Sequence, residues 1–130
     1  MAINDYSDEE DYYEQGFGKD GVVSIWAGLE GADERQADVL QDLCGVGYYN
    51  LDDQEANCFD FRLVDLRLLL QDMSYSISFI EQACAAATHL GIHQAKWITV
   101  QYDFDYQPTK VRRAIESDPV FLGVFSYVVK

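Results

Sequence analysis

Lys96–Asp103 reads KWITVQYD, and its two-residue alternation decides the fold. Trp97, Thr99 and Gln101 fall on one side while Ile98, Val100 and Tyr102 fall on the other, because successive side chains of an extended chain point to opposite faces. Two further stretches have the same β-branched and aromatic character: Val22–Ala27, VVSIWA, and Val120–Val129, VFLGVFSYVV, the latter apolar on both faces. The backbone groups of such segments need partners once they leave water, so the three are expected in one sheet. Pro108 precedes a short helix expected over Thr109–Glu116, and Asp118-Pro119 ends it. The second and third strands are near enough in sequence to pair around that helix, with the first joining them.

Three longer helices are expected between the first two strands. Asp33–Cys44 starts on an Asp that can cap it, has Gln36 at the capping-box position and stops at Gly45. Its apolar stripe is Ala37, Val39, Leu40, Leu43 and Cys44. Phe61–Asp72 repeats Leu63, Leu66 and Leu70 at helical spacing, continued by Met73. The third begins at Ser76, lines one face with Ile77, Ile80, Cys84 and Ala87, and ends at Gly91. Gly47–Asp60 has no clean period and reads as a structured loop with one turn of helix. Helices segregated from a small, mainly antiparallel sheet define an α+β fold, in the order β-α-α-α-β-(short α)-β. Trp26, Leu40, Leu66, Leu70, Ile80, Ala83, Ile98, Val100 and Val124 are the expected core. Residues 1–21 read as an acidic leader and 22–130 as a single α+β domain.

Charge narrows the function. The chain of 130 residues has a formal net charge of −14. Residues 1–60 carry 16 acids and 2 bases, whereas residues 61–130 carry 7 of each. Nucleic-acid binding rests on Lys and Arg displacing condensed counterions, and anionic lipid needs the same charges, so neither is an expected partner. A basic protein surface is. No apolar run approaches the roughly 20 residues of a membrane span, and the acidic start is unlike a secretory leader. The cytoplasm is the expected compartment. Cys44, Cys58 and Cys84 form no CxxC pair and sit among apolar neighbours, as buried free thiols do.

Candidate chemistry is sparse. Asp103 and Asp105 form a D-x-D at a strand end, where alternation puts both on one face as metal-binding carboxylates require; no third ligand follows at a familiar spacing. His89 and His93 have the i,i+4 spacing of zinc ligands on a helix, but Gly91 falls between them and no HExxH glutamate is present. A histidine near a helix C-terminus, favoured by the dipole, accounts for them. Ser24, Ser74, Ser76 and Ser78 lack the glycine elbow of a serine hydrolase. Trp26 and Trp97 read as core or edge aromatics. No catalytic residue, metal site or cofactor is expected. The best candidates for partner contact are Tyr48, Tyr49, Asp52, Asp53 and Glu55, which join aromatic anchors to charge, with Asp103 and Asp105 adding to them from the neighbouring strand end.

VSIWAG (23–28), YYNLDD (48–53), SYSISFI (74–80), WITVQYDFDY (97–106) and VFLGVFSYV (120–128), in that order and spacing, resemble the immunity protein 22 family of bacterial polymorphic-toxin systems. The resemblance spans Val22–Val129 and finds no counterpart for Met1–Gly21 or Pro108–Pro119. It implies an α+β protein that binds and neutralises a cognate toxin, and it carries over no catalytic residues. An acidic protein suits a basic toxin that cuts nucleic acid, whose cleft it would occlude. Two rivals remain: an acidic adaptor without a toxin partner, and a small metal-dependent enzyme using Asp103 and Asp105.

Overall fold

A computed structural model describes residues 15–30, 39–111, 115 and 117–128. Four antiparallel strands form the main sheet: β1 (Gly18–Gly28), β2 (Gln54–Cys58), β5 (Trp97–Phe104) and β6 (Val120–Ser126), in the spatial order β2-β5-β1-β6. A second, two-residue ribbon pairs β3 (Val64–Asp65) with β4 (Gln94–Ala95). Two helices, α1 (Leu66–Leu70) and α2 (Ser76–His89), complete the α+β architecture, together with single helical turns at Val39–Leu43, Leu51–Asp53 and Pro108–Lys110.

The alternation of the central strands builds two cores. Val23, Ile25 and Ala27 of β1 and Ile98, Val100 and Tyr102 of β5 face α1 and α2, which contribute Leu66, Leu69, Leu70, Phe79, Ala83 and Ala87. Trp26 faces the other way and packs with Phe17, Leu40, Cys44, Val46, Phe104 and Tyr106. Phe104 breaks the parity of β5, since 98, 100 and 102 face the helices and 104 does not. The cause is Asp103, whose φ of 56° lies in the left-handed region and turns the pleat over. Ser24 Oγ then fixes the strand exit, donating to the Phe104 carbonyl at 2.5 Å and accepting from Tyr106 N–H at 3.0 Å.

Several expectations need correction. The Lys96–Asp103 and Val120–Val129 strands do not pair with each other: β1 lies between β5 and β6. The Gly47–Asp60 segment contains, besides its one helical turn, the edge strand β2, whose sequence QEANC has no apolar alternation, and none of its five residues is buried. The element order is therefore longer than expected, with β2 and the β3–β4 ribbon inserted. The second helix starts at Leu66 rather than Phe61. Asp60 and Phe61 both have φ of 54°, which no helix continues through, and Leu63 is exposed. In α2 the buried face is Ser76, Phe79, Ala83 and Ala87, one step from the expected phase, and Ile77 is 95% exposed. Ser76 does not cap α2. Tyr75 occupies the cap position, and Ser76 Oγ donates to the Gln71 carbonyl.

Gly91, at φ 77°, does end α2, as expected. Trp26, Leu40, Leu66, Leu70, Ala83, Ile98 and Val100 are buried, whereas Ile80 and Val124 are half-buried. Only the end of the expected Asp33–Cys44 helix falls within the described residues, as the Val39–Leu43 turn; half of the expected Thr109–Glu116 helix lies outside them, and its start falls in the Pro108–Lys110 turn. The first strand starts at Gly18, four residues early, and Gln15 and Phe17 are already buried. Gln15 bridges the Gly45 carbonyl (2.8 Å) and the Gly47 N–H (2.6 Å). The three cysteines are free thiols, Cys44 buried and Cys58 and Cys84 half-buried.

Candidate functional site: an acidic cup walled by tyrosines

Asn50 sets the first wall. Its Oδ1 accepts the Asp52 N–H at 3.1 Å, an N-cap that turns Leu51–Asp53 into one helical turn. That turn projects Asp52 and Asp53 at the entrance to β2, and Asn50 Nδ2 donates to Asp53 Oδ2 at 3.2 Å. One residue into β2, Glu55 reaches the loop before α2. Its Oε1 accepts the Ser74 N–H at 2.9 Å and its Oε2 accepts the Ser74 hydroxyl at 2.5 Å. Glu55 therefore fixes the loop that carries Tyr75 and also supplies charge.

The opposite wall comes from β5 and the end of β6. Asp103 Oδ1 accepts the Gly21 N–H at 2.9 Å and the Tyr127 hydroxyl at 2.7 Å. Tyr102 donates its hydroxyl proton to the Ser74 carbonyl at 2.6 Å. Tyr75, Tyr102 and Tyr127 pack on one another: Tyr75 stacks on Tyr127 with ring centroids 5.5 Å apart, and Tyr102 meets Tyr127 edge-on at 5.1 Å. The cavity so formed has a volume of about 330 Å³ and is lined by Asp52, Asp53, Glu55, Ser74, Tyr75, Tyr102, Asp103 and Tyr127. It sits at the small end of the roughly 300–1,000 Å³ typical of binding pockets.

The electrostatics favour a cation. Four carboxylates surround the cavity, and no Lys or Arg among the described residues forms a salt bridge with any of them. Burial, and then the neighbouring Glu55, push the Tyr102 hydroxyl well above the usual phenol range. Partial burial and the hydrogen bond to Asp103 do the same for Tyr127. Both phenols remain neutral donors, because ionising either would set a second anion beside a carboxylate.

Of the seven sequence candidates, the fold gathers Asp52, Asp53, Glu55 and Asp103 around this cavity. Tyr48 is exposed and does not line it, while Tyr49 is half-buried against the second core. Asp105 lies outside the cavity: its N–H donates to the Phe17 carbonyl and its Oδ2 accepts from Gln107. The left-handed turn at Asp103 defeats the alternation on which a shared D-x-D face depends. Among the described residues no three His, Cys, Asp or Glu side chains are placed to hold a metal ion together. Ser74, Tyr75, Tyr102 and Tyr127 went unrecognised as site residues; for Tyr102 the signal was the acid beside it in YDFDY, and the other three carry no local signal.

The fold and the cup define an α+β protein with an acidic, aromatic-walled recess. The family model for immunity protein 22 matches residues 3–128, and the chain belongs to that family. The match runs through residues 3–21 and 108–119, the two stretches for which the motif resemblance found no counterpart. No curated protein and no solved structure matches the chain. The family description carries a toxin-neutralising role. No helix among the described residues is long and apolar enough to cross a membrane.

Proposed function

We propose that the chain neutralises a cognate polymorphic toxin, in the cytoplasm of the cell that makes both, by seating a basic side chain of that toxin in the acidic cup. The toxin is a basic, nucleic-acid-cutting protein whose cleft the bound inhibitor occludes. The observation that carries this reading is the convergence of Asp52, Asp53, Glu55 and Asp103, from two stretches of chain far apart in sequence, on one cavity. Family membership supplies the class of partner, and the net charge of −14 supplies its sign. Tyr48, exposed on the approach to the Leu51–Asp53 turn, extends the contact surface beyond the cup.

Co-expression with the toxin encoded by the neighbouring gene tests this. The wild-type chain restores growth, and the Asp52→Lys, Asp53→Lys double variant does not. Asp52 is exposed and Asp53 half-buried, outside both cores, and thermal unfolding of the purified variant checks that it still folds. Growth restored equally by both proteins would remove the cup from the mechanism.

A further inference from the structure

Beside the cup runs a second recess of about 860 Å³, between the first turn of α2 and the segment after β6. Met73, Tyr75, Ile77, Gln82 and Val128 line it, and among the described residues none that lines it carries charge. Ile77 is 95% exposed and Val128 is 56% exposed, although both are aliphatic and neighbours across the groove. The two recesses share one wall, the Tyr75 ring. That wall is built at a cost. Tyr75 holds φ at 60°, a left-handed conformation worth about 1–2 kcal/mol of strain for a residue with a Cβ. Stacking on Tyr127 and an edge contact with Tyr102 at 5.9 Å hold the ring there. Val128 is fixed in turn, its N–H donating to Ser78 Oγ at 3.0 Å.

We infer that cup and groove are one composite site that reads a toxin segment in which an Arg or Lys stands next to an aliphatic side chain. This rests on the toxin-binding reading and specifies its chemistry. Charge complementarity fixes the occupant. Four carboxylates on one side of Tyr75 select a cation, and the described residues of the groove on the other side offer apolar area, hydroxyls and the Gln82 amide but no charge. A segment with two adjacent charges would strand one of them against Ile77 and Val128, where no charged side chain among the described residues lines the groove to pair it. The aliphatic side chain covers Ile77 and Val128, and the Tyr75 ring packs against the stem of the basic one.

The test is calorimetric titration of the purified toxin domain from the neighbouring gene into wild type, Ile77→Ser and Val128→Ser. Both positions are exposed, so the variants keep the fold, which thermal unfolding verifies. Ile77→Ser is expected to weaken binding about tenfold or more, as truncation of an interface anchor does. Wild-type binding with both variants unchanged overturns the groove and leaves the toxin-binding reading standing. No binding by wild type overturns that reading, and the inference with it. A peptide arm reads the chemistry directly: acetyl-Gly-Arg-Leu-Gly-amide should shift the amide resonances of both Asp53 and Ile77. Equal shifts at Ile77 from the same peptide with Glu in place of Arg would overturn the pairing of charge with aliphatic side chain.

Discussion

The Tyr127 hydroxyl donates to Asp103 Oδ1 across 2.7 Å, and the same oxygen accepts the Gly21 N–H at 2.9 Å. One carboxylate oxygen thus ties the irregular start of β1 to the end of β6. Between Gly18 and Val23 the register of β1 on β5 shifts, so residues 19–22 have no partner on β5, and the Asp103 side chain takes the place of one for Gly21. Asp103→Ala leaves a partly buried phenol and a backbone N–H without their acceptor, and should cost about 1–3 kcal/mol. Asp103→Asn keeps an oxygen acceptor and suits φ of 56°, so it should cost less than half as much. Urea unfolding of the two variants measures this, and equal losses would show that the charge, not the hydrogen bonds, holds the segment.

The helical phase of α2 gives a second prediction. Phe79 is fully buried and Ile77 almost fully exposed. Phe79→Ala should therefore cost about 3–5 kcal/mol, and Ile77→Ala a few tenths at most. Comparable costs at the two positions would place the wrong face of α2 against the sheet.

Much of this arrangement was legible in the sequence. The alternation in KWITVQYD and VVSIWA identified the two central strands, and their inward positions hold as core: Trp26, Ile98 and Val100 are all buried. The α2 phase was ambiguous because apolar residues occupy both candidate stripes, with Ile77 in one and Phe79 in the other. Packing against the sheet, which no local period encodes, decided between them. Strand β2 was illegible because an edge strand of polar sequence depends on its neighbour for its identity. The acids of the cup were legible as acids beside aromatics. Their convergence with Tyr75 and Tyr127 was not, because those residues meet only once the folded sheet brings the end of β6 beside β5 and the loop before α2.

The tyrosines set a dependence on alkaline pH. Tyr102, Tyr106 and Tyr127 all hold their protons more tightly in the folded chain than a free phenol does, burial being the first cause in each. In the unfolded chain these groups ionise near pH 10. Their contribution to stability is therefore full below about pH 10 and is lost as pH rises from there toward the folded values. The urea midpoint should hold steady to about pH 9 and fall by pH 11, and Tyr102→Phe should make the fall less steep. A midpoint that stays level across that range would mean that these hydroxyls ionise freely in the native state.

Close packing at Gly28 yields a fourth prediction. A Cβ placed there would lie 1.9 Å from Cε2 of Trp97, whose indole crosses the glycine and donates to the Glu30 carbonyl at 3.2 Å. Gly28→Ala must displace that ring and should cost about 1–3 kcal/mol, as overpacking does. Trp97 fluorescence should change with it. A variant with unchanged stability and spectrum would show that the ring has room to move.

Steering by charge is the central claim, and stopped-flow association with the cognate toxin measures it most directly. At low ionic strength the acidic surface attracts a basic partner over distance, while at about 1 M salt the screening length contracts to about 3 Å. The association rate of the wild-type chain should fall at least about tenfold across that range while dissociation changes far less, since short-range packing governs dissociation. The Asp52→Lys, Asp53→Lys variant should associate more slowly at low salt and depend less on salt. A wild-type association rate that stays flat from low to high salt would contradict the account, leaving shape and apolar contact to bring the two proteins together.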